Sequence, residues 1–199
     1  MKNIVVFASG TGTNFINIYK NLELGNIELL ISNNANCGAV QFAKLKDINF
    51  KIINNSTSNN IEQDYKNVLK IYNPDLILLA GFLKKIPKKI INLYKNKIMN
   101  VHPSLLPKYG GKGFFGINVH RSVIESKDKI TGATIHFVDE KYDEGPIILQ
   151  KQLEVLKNDS AESLSKKVLQ IEYDLYLKAV TLFCNDKIKI LNKKVIIDD

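Results

Sequence analysis

At 199 residues, with 45% apolar and 24% charged side chains, the sequence has the size and composition of one large α/β domain, and a single domain spanning 1–199 is expected. No apolar run approaches the roughly 18–20 residues of a membrane-spanning helix, so a membrane partner is excluded. The net charge of +8 comes from lysines spread along the chain, with Arg121 the only arginine able to make bidentate contacts, which argues against base-specific reading of a nucleic acid.

The opening run, Asn3–Ala8, is too short for a signal peptide and ends in Gly and Thr, so it reads as a strand. Apolar runs at Ile27–Ser32, Phe50–Ile53, Asp75–Ala80 and Lys97–Val101 read as further buried strands. Helical periodicity separates them at Thr13–Leu24, Gly38–Lys46, Ile61–Tyr72 and Pro87–Tyr94, the last with its Pro placed in a first turn. This alternation predicts a doubly wound, mostly parallel sheet of Rossmann-like type. Beyond residue 101 come an irregular Pro- and Gly-rich stretch and a helix over Asn118–Ser126. Two strands, Thr131–Val138 and Ile147–Val155, then form an antiparallel extension. A long amphipathic helix follows, capped by Asn158, Asp159 or Ser160, with Leu164, Val168, Ile171, Leu175 and Val180 on one face. The tail, 187–197, reads as a short edge hairpin. Cys37 and Cys184 lack metal-ligand or redox spacing and fit reduced thiols in a cytoplasm.

In an open α/β sheet, ligands bind beyond the carboxyl ends of the strands, which directs attention to the loops 9–14, 80–86, 100–107 and 139–146. Ser9-Gly10-Thr11-Gly12-Thr13-Asn14 joins a strand to a helix, where backbone N–H groups and the helix dipole favour a phosphate. A dinucleotide is disfavoured, because Phe15 takes the third Gly position and Ser32-Asn33-Asn34 supplies no acid for a ribose. Asn100 and His102 lie two apart at a strand end and so share a face, with Pro103 holding His102 extended. Acyl transfer to an amine needs a donor for the developing oxyanion and a group that titrates near neutral pH, which Asn and His supply. In the acidic loop 139–146, spacing leaves both Asp139 and Asp143 open as the carboxylate that holds His102 in its tautomer. His136 reads as a core or supporting residue of its strand, and His120 as a surface residue of its helix. No histidine pair has metal-binding spacing, and no metal is expected.

Four ordered segments resemble the phosphoribosylglycinamide formyltransferases, a folate-dependent formyltransferase family. They are Ser9–Asn14, Leu79-Ala80-Gly81-Phe82, Asn100-Val101-His102-Pro103-Ser104-Leu105-Leu106-Pro107, and Gly132–Val138 followed by Asp143-Glu144-Gly145-Pro146-Ile147-Ile148-Leu149-Gln150. The resemblance runs from residue 3 to about 182. It implies the formyltransferase fold and the transfer of formyl from 10-formyltetrahydrofolate, as co-substrate, to phosphoribosylglycinamide in purine synthesis. It selects Asp143 among the acids and implies that Asn100 binds the oxyanion, His102 is the general acid/base and Asp143 orients it. It also implies that Gly12, Thr13 and Asn14 hold the substrate phosphate, with Gln170 and Glu172 near the ribose. Leu83, Lys84, Lys85 and Ile86, together with Asp139, Glu140, Lys141, Tyr142 and Asp143, would line the folate pocket, which Asn100 would also border. Lys84 stands where many members carry Arg, the cation expected before the third helix is replaced near Glu62, and Gly110–Gly116 reads as a flap.

Three neighbouring readings are weaker. A methionyl-tRNA formyltransferase carries a further C-terminal domain and a formyltetrahydrofolate deformylase an N-terminal one, neither expected here. A noncatalytic folate or nucleotide module would not need Asn100, His102 and Asp143 together. Small-molecule substrates and a monomer or homodimer are the expected partners.

Overall fold

The computed structural model describes residues 1–192 and 194–198; Lys193, which falls within the expected tail hairpin, and Asp199 lie outside them. The chain forms two compact units, Met1–Met99 and Asn100–Asp199, divided within one strand.

The first unit alternates strands β1 (Lys2–Phe7), β2 (Gly25–Ser32), β3 (Phe50–Ile52) and β4 (Leu76–Leu79) with helices α1 (Thr13–Asn21), α2 (Gly38–Leu45), α3 (Ile61–Tyr72) and α4 (Lys88–Leu93). The strands run parallel in the order β3-β2-β1-β4 and β5 (Ile98–His102) begins beside β4. Central strands buried on both faces must be apolar throughout, and Ile4–Phe7, Leu29–Ile31 and Leu76–Leu79 are. Phe7 meets Tyr65 of α3 and Phe82 edge-on, each at 5.2 Å between ring centroids. Burial pushes the Tyr65 hydroxyl up to about 12. Most ends lie within two residues of expectation, and the departures with a clear backbone cause are at α1 and α4. Helix α1 ends at Asn21 rather than Leu24, because Leu22 turns extended and β2 begins as early as Gly25. Pro87 caps α4 instead of entering its first turn, its ψ of 142° lying outside the helical region.

In the second unit the order is β5-β6-β7, with β6 (Ile130–Phe137) and β7 (Ile147–Glu154) antiparallel as expected, and α5 (Ile117–Glu125) precedes them. The β6–β7 register slips by one between Ile135 and His136, so that Ile135 faces Leu149 but His136 faces Ile147. Such a bulge re-aims the side chain beside it. Helix α6 (Ala161–Cys184) packs against β6 and α5 through Leu164, Val168, Leu175, Tyr176 and Val180. Of the three possible caps, Ser160 is the one used: its Oγ accepts the Ser163 N–H, and Ser163 Oγ accepts the Ser160 N–H. The tail hairpin forms a two-stranded antiparallel sheet of its own, β8 (Ile188–Leu191) with β9 (Lys194–Ile197), rather than an edge of the larger one. Among the described residues no helix is long and apolar enough to cross a membrane.

Candidate active site

Strand β5 carries Asn100 and His102 on one side, and the irregular chain after it is pinned to β6 by one fully used hydroxyl. Thr134 Oγ1 donates to Ser104 O at 2.6 Å and accepts from the Leu106 N–H at 3.1 Å and from Gln150 Nε2 at 2.8 Å. Gln150 Nε2 also donates to Leu106 O at 2.9 Å. A hydroxyl with one donor and two acceptor positions is thereby saturated. The same segment brings Tyr109 back over His102 with a left-handed φ of 55°, its hydroxyl donating to Asp128 at 2.8 Å.

His102 is buried, only 4% exposed. Its Nε2 lies 2.7 Å from the Tyr109 carbonyl oxygen, which only accepts, so Nε2 carries a proton and Nδ1 presents the lone pair of the neutral ring. That lone pair faces Asp143 Oδ2 at 3.5 Å. The tautomer expected to be held by a carboxylate is therefore held by a backbone carbonyl, while Asp143 awaits a proton arriving at Nδ1. Burial lowers the His102 pKa below 6.5, and the charge of His136 adds to that, outweighing the opposing pull of Asp143 and the Tyr109 carbonyl. Asp143 answers in the other sense. Burial pushes its carboxyl up, but the approach of His136 Nε2 at 3.5 Å, the His102 charge and the Gly111 N–H at 2.9 Å together hold it below its ordinary value. The ring is thus neutral at pH 7 beside a fixed anion, the arrangement a general base requires.

Asn100 completes the cluster. Its Nδ2 lies 3.2 Å from His136 Nε2 and 3.5 Å from Asp143 Oδ1. Asp143 itself has a left-handed φ of 57°, at the end of a turn in which Asp139 accepts the Lys141 N–H at 2.9 Å. Asp139 is thereby used locally, and of the two acids only Asp143 reaches the histidines. Gly145 makes the return possible, since a Cβ there would lie 1.8 Å from the Phe137 carbonyl oxygen. Beside Asp143 opens a cavity of about 470 Å³ bounded by Leu106, Pro107, Gly111 and Tyr142.

His120 departs from expectation. It is 2% exposed, flanked on α5 by buried Val119 and Val123, and its Nδ1 has no hydrogen-bond partner. Burial, with the His102 charge adding to it, pushes it down to about 4. The expected surface position is therefore corrected: the buried face of α5 includes it.

In the first unit the glycine turn opens α1. Gly12 caps α1 at φ 75° with no side-chain bond, and a Cβ there would meet Ala39 Cβ at 2.7 Å. Ser9 Oγ donates to Asn33 Oδ1 at 2.5 Å and accepts the Leu83 N–H at 3.1 Å, fixing the turn to the 80s loop. In that loop Leu83, Lys84 and Lys85 are exposed, whereas Ile86 is 3% exposed and belongs to the core. Glu62 pairs with Lys89 at 2.9 Å, so the cation beside α3 comes from α4. On α6, Glu172 is buried and Gln170 exposed, as positions two apart on a helix must diverge. Glu140, Lys141 and Tyr142 are exposed, with Lys141 paired to Glu144 at 3.0 Å. Among the described residues no group of three or more His, Cys, Asp or Glu is placed to hold a metal ion.

The sequence model of the family described as formyl transferase matches residues 2–180, through both units. The chain belongs to the formyl transferase family. Among curated formyl transferases, it is 33% identical to the phosphoribosylglycinamide formyltransferase of Haemophilus influenzae, covering 100% of this chain and 94% of that one. It is 39% identical to the chloroplastic phosphoribosylglycinamide formyltransferase of Arabidopsis thaliana, covering 94% of this chain and 67% of the plant protein. The solved phosphoribosylglycinamide formyltransferase of Anaplasma phagocytophilum superposes with a TM-score of 0.91 at 32% identity, over 100% of this chain and 95% of that one. The central α/β fold of the family, mostly parallel with an antiparallel pair, is therefore the fold of this chain.

Sequence reasoning about this formyl transferase missed the Tyr109 carbonyl and the Gly111 N–H, because backbone groups of an irregular loop leave no side-chain signature. His136 did leave one: Thr134 and His136 are polar at a spacing of two in a largely apolar strand, which places both on one face.

Proposed function

We propose that this chain transfers the formyl group of 10-formyltetrahydrofolate to the amine of phosphoribosylglycinamide, as one formyltransferase domain acting in purine synthesis in a cytoplasm. The observation that carries the reading is the cluster of Asn100, His102 and Asp143, a neutral buried base and an amide donor that each lie 3.5 Å from the Asp143 carboxylate. The amine nitrogen attacks the formyl carbon. The carbonyl oxygen gains charge and takes a hydrogen bond from Asn100 Nδ2. The amine proton passes, directly or through water, to His102 Nδ1, where Asp143 stabilises the cation. Collapse of the adduct returns that proton to the departing folate nitrogen, leaving tetrahydrofolate and the formylated amide. Gly12, Thr13 and Asn14 hold the substrate phosphate, with Gln170 and Glu172 toward the ribose. The folate contacts are assigned to Leu83, Lys84, Lys85 and Ile86 and to residues 139–143, together with Asn100.

A spectroscopic assay of folate deformylation with purified protein, repeated with His102→Ala and Asp143→Asn, tests this. Formyl transfer that requires the amine and falls by about 10²-fold or more in both variants is expected. Formyl loss at the same rate without the amine would mean hydrolysis instead.

A further inference from the structure

We propose that His136 is a positioning residue for the oxyanion donor: it fixes which way round the Asn100 amide sits, so that an N–H and not a carbonyl oxygen faces the formyl group. The inference rests on the formyl-transfer reading above and concerns a residue that reading leaves without a task.

The His136 ring is 1% exposed and stands at the bulge between β6 and β7. Its Nδ1 lies 2.8 Å from the carbonyl oxygen of Phe137, an atom that only accepts, so Nδ1 carries the hydrogen. In the neutral ring Nε2 then presents a lone pair, and the atom 3.2 Å away is Asn100 Nδ2, a donor. An amide turned through 180° would set its oxygen against that lone pair and also against Asp143 Oδ1, which lies 3.5 Å from the present Nδ2. Two acceptor–acceptor contacts, one of them to the His136 ring at 1% exposure, disfavour the turned amide and leave the present orientation. Of the two Asn100 N–H bonds, one is then held by His136. The other has only the long approach to Asp143 Oδ1, at the limit of hydrogen bonding, and is the one a charged formyl oxygen takes over. Ring, amide and oxyanion form one chain of donors and acceptors whose direction is set at the Phe137 carbonyl.

A double-mutant cycle on formyl transfer separates this from general support of the fold. His136→Leu is expected to lower kcat about 100-fold, with KM for both substrates changed less than about threefold, the effect of losing one oriented oxyanion donor. In an Asn100→Ala background the same substitution is expected to cost less than about threefold, because no amide remains to orient. His136→Gln, whose amide oxygen accepts a hydrogen bond, is expected to restore about tenfold over His136→Leu. An equal loss in both backgrounds overturns the proposal. If His136→Leu does not fold, nitrogen-15 NMR of the wild-type protein decides, and with 3 histidines in the chain the assignment is tractable. An Nδ1–H tautomer with a bare Nε2 at His136 is required; a ring protonated at Nε2 refutes the pairing. A wild-type protein that transfers no formyl group sinks the functional reading, and the NMR measurement still decides the His136–Asn100 contact by itself.

Discussion

Lowering the pH from 7 to 5 forces a proton onto a group with no partner for it, and the cost can be worked out. His120 has a buried ring whose Nδ1 meets no hydrogen-bond partner, and its pKa falls from 6.5 to about 4 on folding. The folded protein therefore binds this proton less readily than the unfolded chain does. Stability is full above pH 6.5 and is lost progressively as pH falls toward 4. At about 1.4 kcal/mol per pKa unit the whole loss is about 3 kcal/mol, of which about 2 kcal/mol has gone by pH 5. The lowered carboxylates Asp128, Asp143 and Asp159 lose their contribution only as pH falls through about 3.8, so pH 5 separates histidine from carboxylate effects. Urea unfolding at pH 7 and pH 5 measures the difference, first in the wild type and then in His120→Gln. The variant is expected to be less stable at pH 7 through imperfect packing, yet to lose about 2 kcal/mol less on going to pH 5. An identical drop in the two proteins would refute the assignment of the proton to His120.

Two further outcomes follow from the same geometry. Thr134→Val removes the hydroxyl that serves Ser104 O, Leu106 N–H and Gln150 at once, and urea unfolding is expected to show a loss of about 2–3 kcal/mol, with a shift under 0.5 kcal/mol counting against the pin. The acid limb of kcat/KM is expected below pH 6.5, because the base must be neutral and His102 is lowered. In Asp143→Asn that limb moves lower still, since the carboxylate is what opposes the lowering; a limb that rises would reverse the assigned electrostatics.

Much of this architecture was legible before any coordinates. The parallel strands announced themselves because burial on both faces demands unbroken apolar runs, as Leu76–Leu79 illustrates. Asn100 and His102 were legible as a pair because a strand places alternate residues on one side. Asp143 was not separable from Asp139 by spacing, since which acid turns inward depends on the left-handed backbone at 143 and the local capture of Asp139 by the Lys141 N–H. His120 was misjudged for a related reason. A short helix of moderate amphipathicity does not declare the width of its buried face, and that width is set by what packs against it. The tautomer of His102 depended on a carbonyl seven residues away, delivered by a loop whose path no periodicity encodes.

The placement of both Asn100 and His102 on β5 carries a consequence for how the site tolerates error. A strand advances in fixed steps with a two-residue repeat, so the separation between amide and imidazole is not adjustable by small degrees. Deleting or inserting one residue before Asn100 would send both groups to the opposite side of the sheet together. Length changes are therefore absorbed only in the loops, such as the glycine-rich stretch after Tyr109. The distance that matters for the reaction behaves like a ruler marking: present or absent, with nothing in between.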